Sequence, residues 1–422
     1  MTFAFQQMLQ LVAVGACGQP LRMDCSGAEW NNVIAAAKAQ KVDCFLAYGL
    51  KRNRSLSCPP ELREPLIRDA RALMVSNALH RSAIIRLLQD MEDAGIHVVL
   101  LKGYAISGCY AIPECRTCAD ADIWVDPKDE DRACEFLKSQ GFTVKPRWKN
   151  GHHAVCDHPM LGCVELHVIL YDEIVEDIWF KMDGSEFVTE SHRLVQTEDG
   201  NYYTLGYTDH LIFLALHMIK HFIETGLTVQ MMLDVALFYQ KNAHHIDTDR
   251  LWNTVNSLHY GKLLQTILWA MILHCGFRPE DFPGICPEAP DQVTAVLDDL
   301  EAGGWLGKID MKDREQGWYA YNRLVMTSDK STVDYWKYML KWKLDIYWNA
   351  LFPSVVILEN KYPYIKKSKL LIPVAWLHRL IFRGFRKICN RSIPSYTVSD
   401  ECQVSEAGQA RVRLFRSLDM IE

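Results

Sequence analysis

The spacing of apolar residues predicts a helical start to the chain. Residues 3–16 and 27–47 each carry an apolar face with helical periodicity. From Pro59 to Met91, apolar residues recur at intervals of three and four positions, which predicts one long amphipathic helix or a pair of helices. Gly95 ends this pattern. We therefore predict an N-terminal helical region over residues 1–93.

The pattern changes to that of short strands between residues 94 and 205. Val98–Leu101 is a continuous apolar run that leads into a Lys-Gly turn. Further strands are predicted at Asp120–Val125 and Val164–Val168, with helices at 104–110 and 129–140 and a polar hairpin at 147–160. Alternating strands and helices that give way to adjacent strands favour a small mixed sheet. The predicted fold class is therefore α+β.

After Gly206 the helical periodicity returns, so a C-terminal helical domain is predicted over residues 206–352. Its apolar stripes cover residues 209–223, 229–242, 249–273, 293–301 and 335–351. Prolines punctuate the chain beyond residue 353, and periodicity is lost from Arg391. For residues 353–422 we therefore predict a basic helical segment followed by a flexible tail.

The composition is that of an ordinary globular protein. The 422 residues are 49% hydrophobic and 23% charged, and the net charge of −6 argues against non-specific binding to long duplexes. The 14 cysteines lack the spacing of a small disulfide-rich domain, and the N-terminus lacks the basic region of a signal peptide. No apolar run is long enough to predict a transmembrane helix. We therefore expect a cytoplasmic protein with reduced thiols, including the closely spaced Cys115 and Cys118.

Two carboxylates open the second predicted strand. Because alternate side chains of a strand share a face, Asp120 and Asp122 are expected roughly 6.5 to 7 Å apart. Glu165, on the third strand, can reach the same edge of the sheet. Three carboxylates supply the hard oxygen ligands that a pair of divalent cations, Mg²⁺ or Mn²⁺, requires. The other open interpretation is an ordinary solvated strand edge.

The order of these parts resembles that of the polymerase-beta-type nucleotidyltransferases. More narrowly, the run from Leu101 to Asp234 resembles a family of largely uncharacterised bacterial nucleotidyltransferases. The motifs that carry the resemblance are Leu101-Lys102-Gly103, Arg116, Asp120 with Asp122, Glu165-Leu166-His167, Asp209, His217 and Asp234. The wider superfamily has serine after the turn glycine and often before the first aspartate, whereas this chain has Tyr104 and Ala119.

The resemblance implies a role for each matching residue. The catalytic and metal-binding residues would be Asp120, Asp122 and Glu165. The nucleotide-binding residues would be Lys102, Gly103, Arg116, His167, His217 and Asp234. Gly103 would let the backbone approach phosphate oxygens, and Lys102 would add a positive charge. For Arg116, phosphate contact and structural pairing are both open. His217 and His221 have the spacing of zinc ligands, but without a completing motif we prefer a cleft-lining role for His217.

The predicted activity is metal-dependent transfer of a nucleoside monophosphate to an acceptor. ATP is our first choice among nucleoside triphosphates, and the acceptor is a small molecule or a protein. Nucleic acid is not expected, given the net charge of −6. One alternative is a diverged, non-catalytic nucleotide-binding module that assembles with partners, which Tyr104 supports. A weaker alternative is a metal-dependent phosphohydrolase.

A basic segment interrupts this acidic chain. Lys361 to Arg391 contains nine lysines and arginines and no acidic residue, interleaved with apolar residues. Such a segment can meet an anionic membrane face, a nucleotide tail or an acidic partner. It can equally cover the helical bundle with its apolar side while its charges face solvent.

Overall fold

The computed structural model describes residues 1–18, 20–22, 25, 27–53, 55–145, 153–170, 188–304, 307, 321, 362, 364, 371–378 and 398–421. The chain divides into two compact units, Met1–Lys308 with Arg413–Glu422, and Ile309–Val412. In the second unit, Ala375 is buried and packs with Tyr362, Tyr364, Ile372 and Trp376. The sheet and the site described below belong to the first unit.

Four helices precede the sheet. They are α1 (Phe3–Cys17), α2 (Trp30–Ala39), α3 (Asp43–Arg52) and α4 (Pro60–Asp93). The segment 27–47, predicted as one helix, contains a break between α2 and α3. At this break Lys41 has a φ of 56°, a left-handed conformation that does not continue a helix. By contrast, α4 is a single helix of 34 residues.

A mixed sheet of seven strands forms the centre of the first unit. The strands are β1 (Val98–Leu100), β2 (Asp120–Val125), β3 (Thr143–Lys145), β4 (His153–His158), β5 (Gly162–His167), β6 (Arg193–Thr197) and β7 (Gly200–Thr204). Their order is β3-β4-β5-β2-β1-β7-β6. The pairs β2–β5 and β1–β7 are parallel, and the other pairs are antiparallel. The predicted mixed-sheet α+β fold is confirmed.

Alternating side chains of the central strands build two different cores. Val98 and Leu100 of β1 join a large core on the face that contains buried residues of α4. Val99 packs on the opposite face with Leu205 and Phe213. The strand β2 follows the same alternation, because Ala121 and Ile123 join the α4 core while Trp124 packs with Val99. The aspartates at the start of β2 therefore face away from α4.

Short elements connect these strands. The helix predicted over residues 104–110 is a single turn, α5 (Tyr104–Ser107), and α6 (Glu130–Ser139) follows β2. Of the hairpin predicted over residues 147–160, the described part forms the single strand β4, which instead makes a hairpin with the Glu165 strand β5. The hairpin of β6 and β7, which the hydrophobic pattern does not predict, forms one edge of the sheet.

The described part of the remaining chain is helical. Its longer helices are α7 (Tyr207–Glu224), α8 (Val229–Asn242), α9 (Thr248–Ser257), α10 (Gly261–Cys275), α11 (Pro290–Glu301) and α12 (Val398–Ser417). The segment predicted as one helix over 249–273 is divided into α9 and α10. Between them His259 has a φ of 62°, which interrupts the helical backbone. None of the helices among these residues is long and apolar enough to cross a membrane.

The end of the chain differs from the flexible tail that its composition indicates. The helix α12 occupies residues that we expected to lack periodic structure, and Phe415, Leu418 and Met420 near its end are buried. Phe415 lies with its ring centroid 5.4 Å from that of Phe222. These apolar contacts order the C-terminus. The helix predicted over 335–351 and most of the basic segment lie outside the described residues.

Candidate active site

Asp120, Asp122 and Glu165 lie on two adjacent parallel strands. Asp122 of β2 is the register partner of Glu165 of β5, and Asp120 is two positions before Asp122 on the same face. One carboxylate oxygen from each residue lies within 4.8 Å of the others. The structure therefore brings together the three carboxylates that the sequence singles out, although they are 45 residues apart at the widest separation.

Lys102 lies two residues after the end of β1 and neutralises part of this charge. Its Nζ atom is 3.1 Å from Asp122 Oδ1 and 3.5 Å from Asp120 Oδ2. Burial alone lowers the pKa of Lys102, but the charges of Asp122 and Asp120 raise it by more, so the net shift is upward. The side chain is therefore a fixed ammonium at the centre of the acidic cluster.

The two aspartates titrate differently. Burial, followed by the charge of Asp122, raises the pKa of Asp120 above its ordinary value. Burial also raises the pKa of Asp122, but a hydrogen bond from His167 and the charge of Lys102 outweigh it, so the net shift is strongly downward. Asp122 is the more firmly ionised of the pair.

His167 connects the two strands of the cluster. Its Nε2 atom lies 3.2 Å from Asp122 Oδ1 and 3.6 Å from Glu165 Oε2. Burial lowers the pKa of His167, but the hydrogen bonds to Asp122 and Glu165 raise it by more. For Glu165, burial raises the pKa, whereas the hydrogen bond from His167 and the nearby His153 lower it, with a net downward shift. His167 therefore positions two of the three carboxylates.

His153 is part of this site although we did not identify it from the sequence. It is the register partner of His167 across the β4–β5 hairpin, and its Nε2 atom lies 3.8 Å from Glu165 Oε1. The only signal in the sequence is its place in a polar segment before the Glu165 strand. That signal does not fix the register of the hairpin, and a slip of one residue would turn His153 to the other face.

The carboxylates fit a divalent metal ion. Asp122 is only 2% exposed, and its Oδ2 atom is buried with no hydrogen-bond partner among the described residues. A buried carboxylate oxygen without a partner is costly unless a cation binds it. Together with the oxygens of Asp120 and Glu165, it provides the oxygen ligands that Mg²⁺ and Mn²⁺ prefer.

The turn after β1 requires glycine. Gly103 has a φ of 67°, and a Cβ atom there would lie 2.7 Å from the Sγ atom of Cys118. The next residue, Tyr104, directs its hydroxyl to the Nδ1 atom of His80, at 2.6 Å. The departure from serine at this position therefore leaves the Tyr104 hydroxyl bonded to α4 rather than available to a phosphate.

Arg116 and Asp234 form a buried, bidentate ion pair. The Nε atom of Arg116 lies 2.9 Å from Asp234 Oδ1, and the Nη2 atom of Arg116 lies 2.7 Å from Asp234 Oδ2. The hydroxyl of Tyr110 also donates to Asp234. This pair ties the loop before β2 to α8. Structural pairing, one of the two roles left open for Arg116, is the role that its contacts show.

These residues surround a cleft of about 180 Å³. Its lining includes Lys41, Lys102, Gly103, Arg116, Asp120, Asp122, His217, Gln230 and Asp234. Burial, followed by the charge of Lys102, holds the pKa of His217 well below its ordinary value, so its imidazole is neutral. Asp209 has a different role, because it accepts hydrogen bonds from the amides of Thr189 and Glu190 and pairs with Arg250.

Comparison with known proteins agrees with this arrangement. A family model described as an uncharacterised nucleotidyltransferase matches residues 26–274. The chain belongs to this nucleotidyltransferase family. The match contains every residue of the cleft named above, and it confirms the family that the sequence motifs indicate. No curated protein and no solved structure matches the chain.

Proposed function

We propose that this protein transfers a nucleoside monophosphate, AMP from ATP, to a small-molecule or protein acceptor. Asp120, Asp122 and Glu165 would hold the divalent cations, Mg²⁺ or Mn²⁺. The observation that carries the proposal is the pairing of Asp122 with Glu165 in register, with an unsatisfied, buried oxygen of Asp122 beside the cleft. Cations bound there would neutralise phosphate charge and stabilise the attacking and leaving oxygens.

The protein's own groups have separable roles in this proposal. Lys102 holds Asp120 and Asp122 in place, and its ammonium lies in the cleft within reach of a donor phosphate. The backbone at Gly103 approaches the donor without a Cβ atom in the way. Glu165, whose pKa is lowered, keeps its charge as a ligand for the cation, and in this proposal it also accepts the proton of the acceptor. His167 keeps Glu165 and Asp122 in position.

Two measurements test this proposal. Thermal melting of the full chain should show a higher midpoint with ATP and Mg²⁺ than with ATP and EDTA, because a ligand that binds the native state stabilises it. Incubation with labelled ATP and a host extract should then yield pyrophosphate and a labelled acceptor, detected by mass spectrometry. A metal-independent midpoint, or release of phosphate without any acceptor, would contradict the proposal.

A non-catalytic nucleotide-binding module is the second candidate. It is favoured by Tyr104, whose hydroxyl bonds to His80, so this position offers no hydroxyl to a phosphate. This candidate predicts metal-dependent stabilisation by ATP without pyrophosphate release in any extract. The same pair of measurements therefore distinguishes the two candidates.

A further inference from the structure

The β4–β5 hairpin places two imidazoles beside Glu165. His153 Nε2 lies 3.8 Å from Glu165 Oε1, and His167 Nε2 lies 3.6 Å from Glu165 Oε2. One donor atom from each of the three residues lies within 4.8 Å of the others. This set shares Glu165 with the carboxylate cluster but adds nitrogen donors that Asp120 and Asp122 do not provide.

The separations suit a four-coordinate metal ion. Metal–nitrogen and metal–oxygen distances of about 2.0–2.1 Å place neighbouring ligands of a tetrahedral ion about 3.4 Å apart. The separations of 3.6 and 3.8 Å, which run to the two different oxygens of Glu165, exceed this by a few tenths of an ångström, and one donor atom from each residue lies within 4.8 Å of the others, so small side-chain rotations bring three donors to one ion. The side chains of His153 and Glu165 are 23% and 25% exposed, so an ion has access from solvent.

The donor set selects a cation different from the one expected at the carboxylates. Mg²⁺ prefers an octahedral shell of oxygens, whereas imidazole suits Zn²⁺ and similar transition-metal ions. Two histidines and a glutamate are a known protein ligand set for Zn²⁺, with a further position left for water or substrate. We propose that His153, Glu165 and His167 form a second metal site, which takes a divalent transition-metal ion of the Zn²⁺ type.

Because Glu165 belongs to both sets, this second site adjoins the proposed catalytic centre. His167 Nε2, which lies 3.2 Å from Asp122 Oδ1, would turn its lone pair to the ion when it is a ligand and would no longer donate to Asp122. Occupancy of the histidine set would therefore alter the surroundings of the carboxylates. The proposal concerns metal binding and does not depend on nucleotide transfer.

Equilibrium dialysis of the full chain against Zn²⁺ tests the proposal. The wild type should bind one more equivalent than His153→Ala. The matched control is His158→Ala, which removes an imidazole from the other end of β4, opposite Gly162, and should bind as much as the wild type. Equal Zn²⁺ binding by the wild type and His153→Ala would overturn the proposal.

Substitution with Co²⁺ separates this site from cysteine ligation. The Co²⁺ protein should show visible bands without a thiolate charge-transfer band, and these visible bands should be lost in His153→Ala. A spectrum dominated by the thiolate band and unchanged in that variant would contradict the assignment. Asp120→Asn should keep the Zn²⁺ equivalent while it loses the stabilisation by ATP and Mg²⁺, so the two proposals fail independently of each other.

Discussion

Asp120 and Asp122 are two residues apart but have different surroundings. Their side chains are 33% and 2% exposed, and Asp122 contacts both Lys102 and His167. Asp120→Asn keeps the shape of the side chain and removes the charge that a cation requires, so transfer should be abolished with little change in stability. Asp122→Asn should abolish transfer and also lower the free energy of unfolding by about 3–5 kcal/mol, because buried partners lose their counter-charge.

Turnover with Mg²⁺ and urea unfolding at equilibrium measure the two effects. Near-normal turnover in either asparagine variant would show that the carboxylates do not hold the catalytic cations. An equal decrease in the free energy of unfolding in both variants would contradict the larger effect expected for the more deeply buried Asp122.

Glu165 should affect chemistry more than binding. In Glu165→Gln, the Asp120–Asp122 pair remains to hold the nucleotide, but one ligand and the proton acceptor are lost. A general base typically contributes about 10²- to 10⁴-fold, so turnover should fall by that factor while affinity for ATP is largely kept. Single-turnover kinetics and ATP binding measured on the same variant check this. Weak ATP binding with normal turnover of the bound fraction would contradict the role.

At the scale of elements, the Arg116–Asp234 pair fixes the loop before β2 against α8. Both residues are buried, at 5% and 7% exposure. Arg116→Ala and Asp234→Ala should each destabilise the protein by about 3–5 kcal/mol, because each leaves a buried charge without its partner. The double variant should lose less than the sum of the two. Urea unfolding of all four proteins gives the coupling energy, and simple additivity would show that the pair is not a structural connection.

His210 makes the attachment of α7 to β1 sensitive to acid. Its Nε2–H donates to the carbonyl oxygen of Leu101 at 2.7 Å, and burial lowers the pKa of His210 to about 3. The unfolded chain binds this proton below its ordinary pKa of about 6.5, whereas the folded chain does not. The free energy of unfolding therefore decreases as the pH falls below the ordinary pKa of histidine. His210 alone should lower it by about 2 kcal/mol at pH 5 relative to pH 7.

His210→Gln, which retains a donor without a titratable ring, should remove this contribution. The measurement is the difference between the urea unfolding free energies at pH 7 and pH 5, taken within each protein. An equal acid-induced loss in the wild type and in the glutamine variant would contradict the assignment to His210.

Much of the arrangement of elements follows from local sequence, but the pairing of strands does not. The alternation in β2 predicts that Asp120 and Asp122 share a face, and it does so because the strand period is two. The register of Asp122 against Glu165, and of His153 against His167, depends on contacts between distant segments. The hydrophobic pattern does not predict the β6–β7 hairpin, whose two turn residues, Glu198 and Asp199, lie between the paired Thr197 and Gly200.

At the scale of the whole molecule, the cleft draws on three regions of the sequence. Lys41 comes from the N-terminal helices, Asp120 and Asp122 from the sheet, and His217 and Gln230 from the C-terminal helices. Local periodicity predicts each region but not their convergence. Lys41 lies at the break between α2 and α3, which the sequence pattern does not reveal, and it lines the cleft.

Lys38 and Lys41 give the cleft a basic extension in a chain of net charge −6. Another cavity of about 370 Å³, lined by both lysines and by Asp43, shares Lys41, Thr117, Cys118 and Ala119 with the main cleft. This continuity favours the binding of an anionic group beyond the carboxylates, and the β- and γ-phosphates of the donor are the natural occupants under the proposed function.

The double variant Lys38→Gln/Lys41→Gln should therefore bind ATP about two- to fivefold more weakly at low salt. This factor corresponds to the free energy that exposed ion pairs typically contribute. AMP binding should change less, because AMP lacks the two outer phosphates, and raising the salt concentration should reduce the difference between wild type and variant. Lys51→Gln, on α3 with its ammonium over the ring of Tyr48, is the matched control and should bind ATP as the wild type does. Titrations of ATP and AMP at two salt concentrations decide the matter. If the double variant weakened AMP as strongly as ATP, or with no dependence on salt, the lysines would act on the shape of the cleft and not on the outer phosphates.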